Sequence, residues 1–217
     1  MVKDEEELHR LQRAFREVLG AYARPGTVHR VEATPQDAAR PAEVGGHLET
    51  VARMLVDQAV TFCVVDGAPE AAASYLADET HARRRGVSDA DYVIVLPRAD
   101  ADDVARAVRE ARPGTLVSPE TGATVLVGCS RLAAWPAPDG KDDLGADLRM
   151  VEVRGPGVRD VNRFFVDRED WAAARAARRD EFPCGIEIVL VDGAGRVVAV
   201  PRSSAVTVAL ASVQEVR

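Results

Sequence analysis

The sequence predicts a three-layer α/β fold, in which a mixed and mainly parallel sheet carries helices on both of its faces. In the first 115 residues, segments with helical apolar spacing alternate with short runs of consecutive apolar residues. That alternation is typical of a parallel sheet built from strands and crossover helices. The second half is richer in strands. A length of 217 residues fits one medium-sized domain, so residues 1–217 are expected to form a single domain.

The first predicted element is a helix that ends at Arg24-Pro25-Gly26, because proline restricts the residue before it and cannot continue the helical hydrogen bonds. Its apolar residues recur at three- and four-residue spacing and predict one buried stripe. They are Leu8, Leu11, Phe15, Val18, Leu19 and Tyr22. A short strand is expected at residues 27–31.

The remaining elements of the first half follow in alternating order. They are a helix at 47–57, a strand at 60–65, a helix at 69–83, a strand at 92–96 and a helix at 101–110.

The second half predicts several strands and one helix. Strands are expected at 124–129 and 150–154, a helix at 167–179, a hairpin of 186–191 with 197–200, and a last strand near 206–210. Residues 135–143 are rich in proline, glycine and aspartate and predict a surface loop.

Composition excludes several classes of function. With 28 basic and 35 acidic residues the net charge is −7, which disfavours a nucleic-acid partner. The charged start of the chain is unlike a signal peptide, and no apolar run is long enough to span a membrane. Three cysteines without a paired motif are typical of a reduced protein, so a cytoplasmic location is expected.

Common catalytic motifs are missing from the sequence. There is no Walker-type loop, no GxGxxG after a strand, and no pairing of histidine with cysteine at metal-ligand spacing. A pyridoxal phosphate enzyme needs a shielded lysine. Only Lys3 and Lys141 are available, one in the first residues of the chain and one in the predicted surface loop. We therefore expect no metal, no cofactor and no catalytic residue.

Three polar corners lie at the ends of predicted elements, at residues 23–27, 117–124 and 200–204. Ordinary turn chemistry accounts for proline, glycine and serine at such positions. Arg202 with Ser203 and Ser204 also matches the geometry of a phosphate-like oxyanion.

Five segments together resemble the PhnH family of the bacterial carbon–phosphorus lyase system. In chain order they are FREVLGAYARPG (15–26), SPETGAT (118–124), GPGV (155–158), FPCGIEIVL (182–190) and VPRS (200–203). Three differences from the expected pattern occur. Glu187 stands where aspartate is expected, serines 203 and 204 stand where threonines are expected, and the 135–143 loop is longer.

The resemblance implies a fold similar to the large domain of fold-type I pyridoxal phosphate transferases, without the cofactor site. It implies a homodimer that assembles with the G, I and J subunits of the lyase core complex. In that complex the chain would support formation of α-D-ribose 1-methylphosphonate 5-triphosphate from MgATP and methylphosphonate, as an accessory subunit.

Candidate residues for an anionic ligand, such as a phosphonate or a nucleotide, or for a subunit interface are Arg24, Glu120, Arg202 and Ser203. Two alternatives remain open from the sequence. One is a stand-alone enzyme or binding protein that uses the Arg202 corner for a phosphate or phosphonate. The other is a remnant without a present function.

Overall fold

The computed structural model describes residues 2–136 and 147–210. Its helices are α1 (Val2–Ala23), α2 (Gly46–Leu55), α3 (Glu70–Thr80), α4 (Ala101–Glu110), a 3₁₀ turn η1 (Pro119–Thr121) and α5 (Asp170–Ala176). Its strands are β1 (His29–Arg30), β2 (Thr61–Val65), β3 (Arg83–Arg84), β4 (Tyr92–Val95), β5 (Thr124–Cys129), β6 (Leu132–Ala134), β7 (Arg149–Arg154), β8 (Asn162–Val166), β9 (Glu187–Asp192), β10 (Arg196–Val200) and β11 (Ala205–Leu210).

The main sheet has seven strands in the order β1-β10-β9-β5-β4-β2-β3. Strands β9, β5, β4, β2 and β3 are mutually parallel, whereas β10 and β1 run antiparallel at one edge. The mixed, mainly parallel sheet is therefore confirmed, and so is the hairpin of β9 with β10.

Helices lie on both faces of this sheet, as predicted. Along β4, Val93 packs with α4 and α5, while the next residue, Ile94, packs with α1, α2 and α3. The same alternation holds at Val125 and Leu126 in β5. Burial of both faces explains why the parallel strands have continuous apolar sequences rather than alternating ones.

A second sheet was not predicted. It is antiparallel, has the order β11-β7-β8-β6, and packs on the same face as α4 and α5. Val151, Phe164 and Val166 enter that core, while Phe165 points the other way and packs against Trp135 at 5.7 Å between ring centroids. The layer expected to be helical is therefore partly a sheet. The sequence analysis missed β6, which has three residues, and β8, which begins with the polar residues Asn162 and Arg163.

The predicted apolar stripe of α1 is only partly buried. Val18 of that stripe is buried, and Tyr22 is partly buried and packs against the same core. Ala14 and Ala21, which were not predicted, are also buried. Leu8, Phe15 and Leu19 instead have 54%, 53% and 56% of their surface exposed.

The helix predicted at 167–179 is shorter in the structure, where α5 spans Asp170–Ala176. It begins later because the Asp167 side chain binds another part of the backbone. Asp167 accepts hydrogen bonds from the backbone N–H groups of Ser130 and Arg131 at 3.1 and 3.2 Å, so it joins β8 to the β5–β6 turn. Most of the predicted 135–143 loop, including Lys141, lies outside the described residues. Within the described ranges, no helix combines the length and the apolar composition that crossing a membrane requires.

One buried carboxylate, that of Glu49, links elements on the face of the main sheet that α1, α2 and α3 cover. Glu49 of α2 has no exposed surface and accepts hydrogen bonds from Arg40 at 2.7 Å, from Arg53 at 3.3 Å and from the Tyr75 hydroxyl at 2.9 Å. Burial raises the pKa of Tyr75, and the hydrogen bond to Glu49 raises it further. The carboxylate therefore joins α2, α3 and the loop before α2.

Glu49→Gln should lower the free energy of unfolding by about 3 kcal/mol, because it leaves the buried guanidinium of Arg40 without its negative partner. The matched control is Glu70→Gln, which breaks the exposed pair with Arg84 and should change it by less than about 1 kcal/mol. Urea unfolding of the three proteins at pH 7 measures both values. Equal effects of the two substitutions would contradict the structural role of Glu49.

Candidate functional site

The segments singled out in the sequence meet at one edge of the main sheet, where β5 and β9 begin and β10 ends. The 3₁₀ turn η1 leads into β5, and residues 182–186 lead into β9. The Gly26 N–H donates to the carbonyl of Ala199, near the end of β10, at 3.2 Å. The Asn162 side-chain amide donates to the Pro25 carbonyl at 2.7 Å and brings in the start of β8.

Glycines allow these backbones to approach closely. A Cβ atom added at Gly122 would lie 2.3 Å from the carbonyl oxygen of Gly185, and one at Gly157 would lie 2.6 Å from that of Ala23. Gly157 also has a φ of 81°, a conformation that favours glycine. The 118–124 and 155–158 segments therefore need glycine for close packing, and position 157 also needs it for its backbone conformation.

Arg202 links three of the segments at this edge. Its backbone N–H donates to Glu187 Oε2 at 3.0 Å, and its Nε pairs with Glu187 Oε1 at 3.2 Å. Its Nη1 donates to the carbonyl oxygen of Pro119 in η1. The guanidinium therefore joins the first residue of β9 to the turn before β5.

Glu187 is a partly buried carboxylate between two arginines. Burial raises its pKa above the ordinary value, and the hydrogen bond from the Arg202 N–H and the charges of Arg202 and Arg175 offset only part of that effect. Burial likewise raises the pKa of Tyr22, and the negative charge of Glu187 adds to the rise. The protein thus keeps a desolvated acid at this edge, with cations on both sides.

Arg175, on α5, holds the turn between β10 and β11. Its Nη2 donates to the carbonyl oxygens of Pro201, Arg202 and Ser204 at 3.0, 3.3 and 2.9 Å. Burial lowers the pKa of Arg175. A single nitrogen thereby fixes the shape of the 201–204 turn.

Arg178, one turn further along the chain, has a structural role. It donates to the carbonyls of Val108, Arg109 and Ala111, which end α4, and pairs with Asp180 at 2.5 Å. An arginine at the carboxyl end of a helix satisfies free carbonyls and interacts favourably with the helix dipole.

A cleft of about 190 Å³ opens between the end of α5, the 182–186 segment and the 201–204 turn. Its charged lining comprises the guanidiniums of Arg175, Arg178 and Arg202 and the carboxylate of Asp180, so its charge is net positive. Its other lining residues include Phe182, Cys184 and Ser204.

Of the four predicted candidates, Arg202 is the one that lines this cleft. Ser203 is exposed on the turn, while its neighbour Ser204 is buried and lines the cleft. Arg24 and Glu120 are exposed, and their side chains make no hydrogen bond or ion pair with the described residues. The structure thus brings the backbones of all three corners together, but not all four side chains.

The sequence analysis did not identify Arg175 or Arg178. Arg175 belongs to α5 and Arg178 follows two residues after its end, in a segment without a recognisable motif and a chain with 26 arginines, so no local signal marked them. Cys184, which lies between Pro183 and Gly185, also lines the cleft. All three cysteines are free, and burial raises the pKa of Cys63 and of Cys129.

Gly122→Ala should destabilise the protein by about 2 kcal/mol, because the new methyl group would meet the Gly185 carbonyl and force the two backbones apart. Gly67→Ala is the control, since a Cβ there meets nothing within 4 Å, and it should change stability by less than about 1 kcal/mol. Thermal and urea unfolding provide the measurement. A Gly122→Ala protein as stable as the control would show that the two segments are not in contact.

Two comparisons with known proteins cover this region. The sequence profile of a family described as “Bacterial phosphonate metabolism protein (PhnH)” matches residues 3–207. A curated relative from Stutzerimonas stutzeri, named “Putative C-P lyase subunit protein HtxG”, is 29% identical over 197 residues, which are 90% of this chain and 85% of the relative. The family match includes every segment that meets at this edge of the sheet.

Proposed function

Because the chain belongs to the PhnH family of bacterial phosphonate metabolism proteins, we propose that it is a subunit of a carbon–phosphorus lyase complex. The relative from Stutzerimonas stutzeri, with its name of putative C-P lyase subunit, supports this proposal. In the complex the chain supports the reaction of methylphosphonate with MgATP that yields α-D-ribose 1-methylphosphonate 5-triphosphate. Its partners are the G, I and J subunits, and its location is cytoplasmic.

The accessory character of the subunit is supported by how its polar groups are used. At the edge where the family segments meet, Arg202 and Arg178 bind backbone carbonyls and carboxylates of the chain itself. Such contacts stabilise loops and helix ends, so most of these donors serve the structure of the chain itself. We include in the proposal the likeness of the fold to fold-type I transferases, which the seven-stranded, mainly parallel sheet supports.

The exposed side of α1 supports the second part of the proposal, a homodimer. Leu8, Phe15 and Leu19 lie on one helix face, since they are seven and four residues apart. Exposed apolar stripes of this kind mark interaction surfaces. Glu5 lies near the start of the helix and Arg16 in its second half, both exposed. An antiparallel pair of α1 helices would therefore join opposite charges, so we propose a second copy as the partner of this face.

Expression with the G, I and J subunits should yield one species in which all four proteins migrate together on size exclusion. Deletion of the gene from its host should abolish growth on methylphosphonate as the only phosphorus source, while growth on inorganic phosphate continues. The opposite result, with this chain migrating alone while its partners assemble without it, would show that it is not a subunit of the complex.

The isolated chain should have the mass of a dimer in light scattering, and Phe15→Glu should convert it to a monomer by placing a charge in the apolar interface. Leu116→Glu is the matched control, because Leu116 is equally exposed but does not belong to α1, and that variant should stay dimeric. A wild-type protein that is monomeric at micromolar concentration, or a dimeric Phe15→Glu variant, would contradict pairing through α1.

A further inference from the structure

We propose that the cleft between α5 and the 201–204 turn binds a small tetrahedral oxyanion, of the phosphonate or phosphate type, through Arg175, Arg202 and Ser204. The choice of a phosphonate as the first probe rests on the proposed function. The oxyanion chemistry itself rests on hydrogen-bond donors and charge in the cleft.

The first observation is a hydroxyl without a partner. Ser204 is 5% exposed and lines the cleft, and its Oγ is fully buried with no hydrogen-bond partner among the described residues. A buried polar group of this kind is costly, and native proteins satisfy nearly all of them. Ser204 lines the cleft, so rotation about χ1 would turn the hydroxyl from its buried, unpartnered position toward the cleft, where it could donate to an acceptor oxygen of the anion.

The second observation concerns the arginines. Arg175 uses Nη2 for three backbone carbonyls, and Arg202 uses Nε and Nη1 for Glu187 and Pro119. Within residues 2–136 and 147–210, Nε and Nη1 of Arg175 and Nη2 of Arg202 make no hydrogen bond. Each of these remaining N–H groups can donate one charge-assisted hydrogen bond to an oxygen of a phosphonate or phosphate. The other hydrogen bonds of each guanidinium hold it in place.

The third observation is the charge of the cleft. Arg178 pairs with Asp180 and Arg202 pairs with Glu187, so each of these cations has a neutralising carboxylate. Arg175 forms no ion pair with a carboxylate in the part of the chain that the structure describes. One partly buried positive charge therefore remains, and an anion would neutralise it.

The volume of the cleft limits the size of its ligand. At about 190 Å³ it is smaller than the 300–1,000 Å³ of sites that hold drug-sized ligands. Methylphosphonate and inorganic phosphate are of the appropriate class, whereas the base and ribose of a nucleotide would have to remain outside. The experiment therefore compares these two anions directly.

Titration of the purified full chain with methylphosphonate and, separately, with inorganic phosphate, by calorimetry at constant ionic strength, should show saturable binding of at least one of them. Ser204→Ala should weaken that binding about tenfold, which corresponds to roughly 1.4 kcal/mol for one hydrogen bond to a charged ligand. The same variant should unfold at an unchanged or higher urea concentration, because it removes a buried group without a partner. A structural role for the hydroxyl would instead lower stability.

Ser203→Ala is the matched control, since Ser203 is the adjacent, exposed residue and its removal should leave the affinity unchanged. Tighter binding of methylphosphonate would identify a phosphonate site, and tighter binding of phosphate would identify a phosphate site; both support the oxyanion assignment. The proposal is overturned if neither anion binds at millimolar concentration, or if Ser204→Ala binds as tightly as the wild type. Assembly with the G, I and J subunits is measured separately, so failure here leaves the proposed function intact.

Discussion

The ion pair between Arg202 and Glu187 determines the geometry of the edge at which the family segments meet. Glu187 is the first residue of β9, and it binds both the backbone and the side chain of Arg202. The same guanidinium reaches η1 through the Pro119 carbonyl, so the starts of β5 and β9 and the end of β10 are held together. Burial opposes the charged form of Glu187, which means that the carboxylate depends on its arginines. Loss of this pair would detach η1 and the start of β9 from the turn that carries Ser204, which Arg175 alone would then hold.

This edge is opposite to the one that the fold class predicts. In open α/β sheets, ligands usually bind beyond the carboxyl ends of the parallel strands. Here Arg168 lies at those ends and donates to the carbonyls of Pro97, Gly128 and Ala99, so the backbone groups there are already satisfied. A Cβ at Gly128 would lie 2.7 Å from Pro97, which shows how closely the chain packs there. The cleft described above lies instead at the amino-terminal edge.

The sequence predicted those parts of the fold that follow from local patterns. Strands buried on both faces, such as β4 and β5, have continuous apolar sequences, and turns with proline or glycine mark their ends, so the main sheet could be predicted. The second sheet could not, because β6 has three residues and β8 becomes a strand by pairing with β6 and β7. The cleft could not be predicted either, because it too forms by contact between residues that are distant in the sequence. Arg202 stands next to a proline in a recognisable turn, whereas Arg175 reaches the cleft through tertiary packing alone.

The three arginines of the cleft differ in how many of their hydrogen-bond donors the chain itself uses. This difference explains how one small cleft can serve both structure and binding. Arg178 is fully used by the end of α4 and by Asp180, and Arg202 is partly used by Glu187 and η1. Arg175 shapes the turn with one nitrogen and has further donors to offer. Donors fixed in this way are preorganised, so an anion would not have to order them on binding. Fixed donors of this kind are what the proposed binding role inside a larger assembly requires.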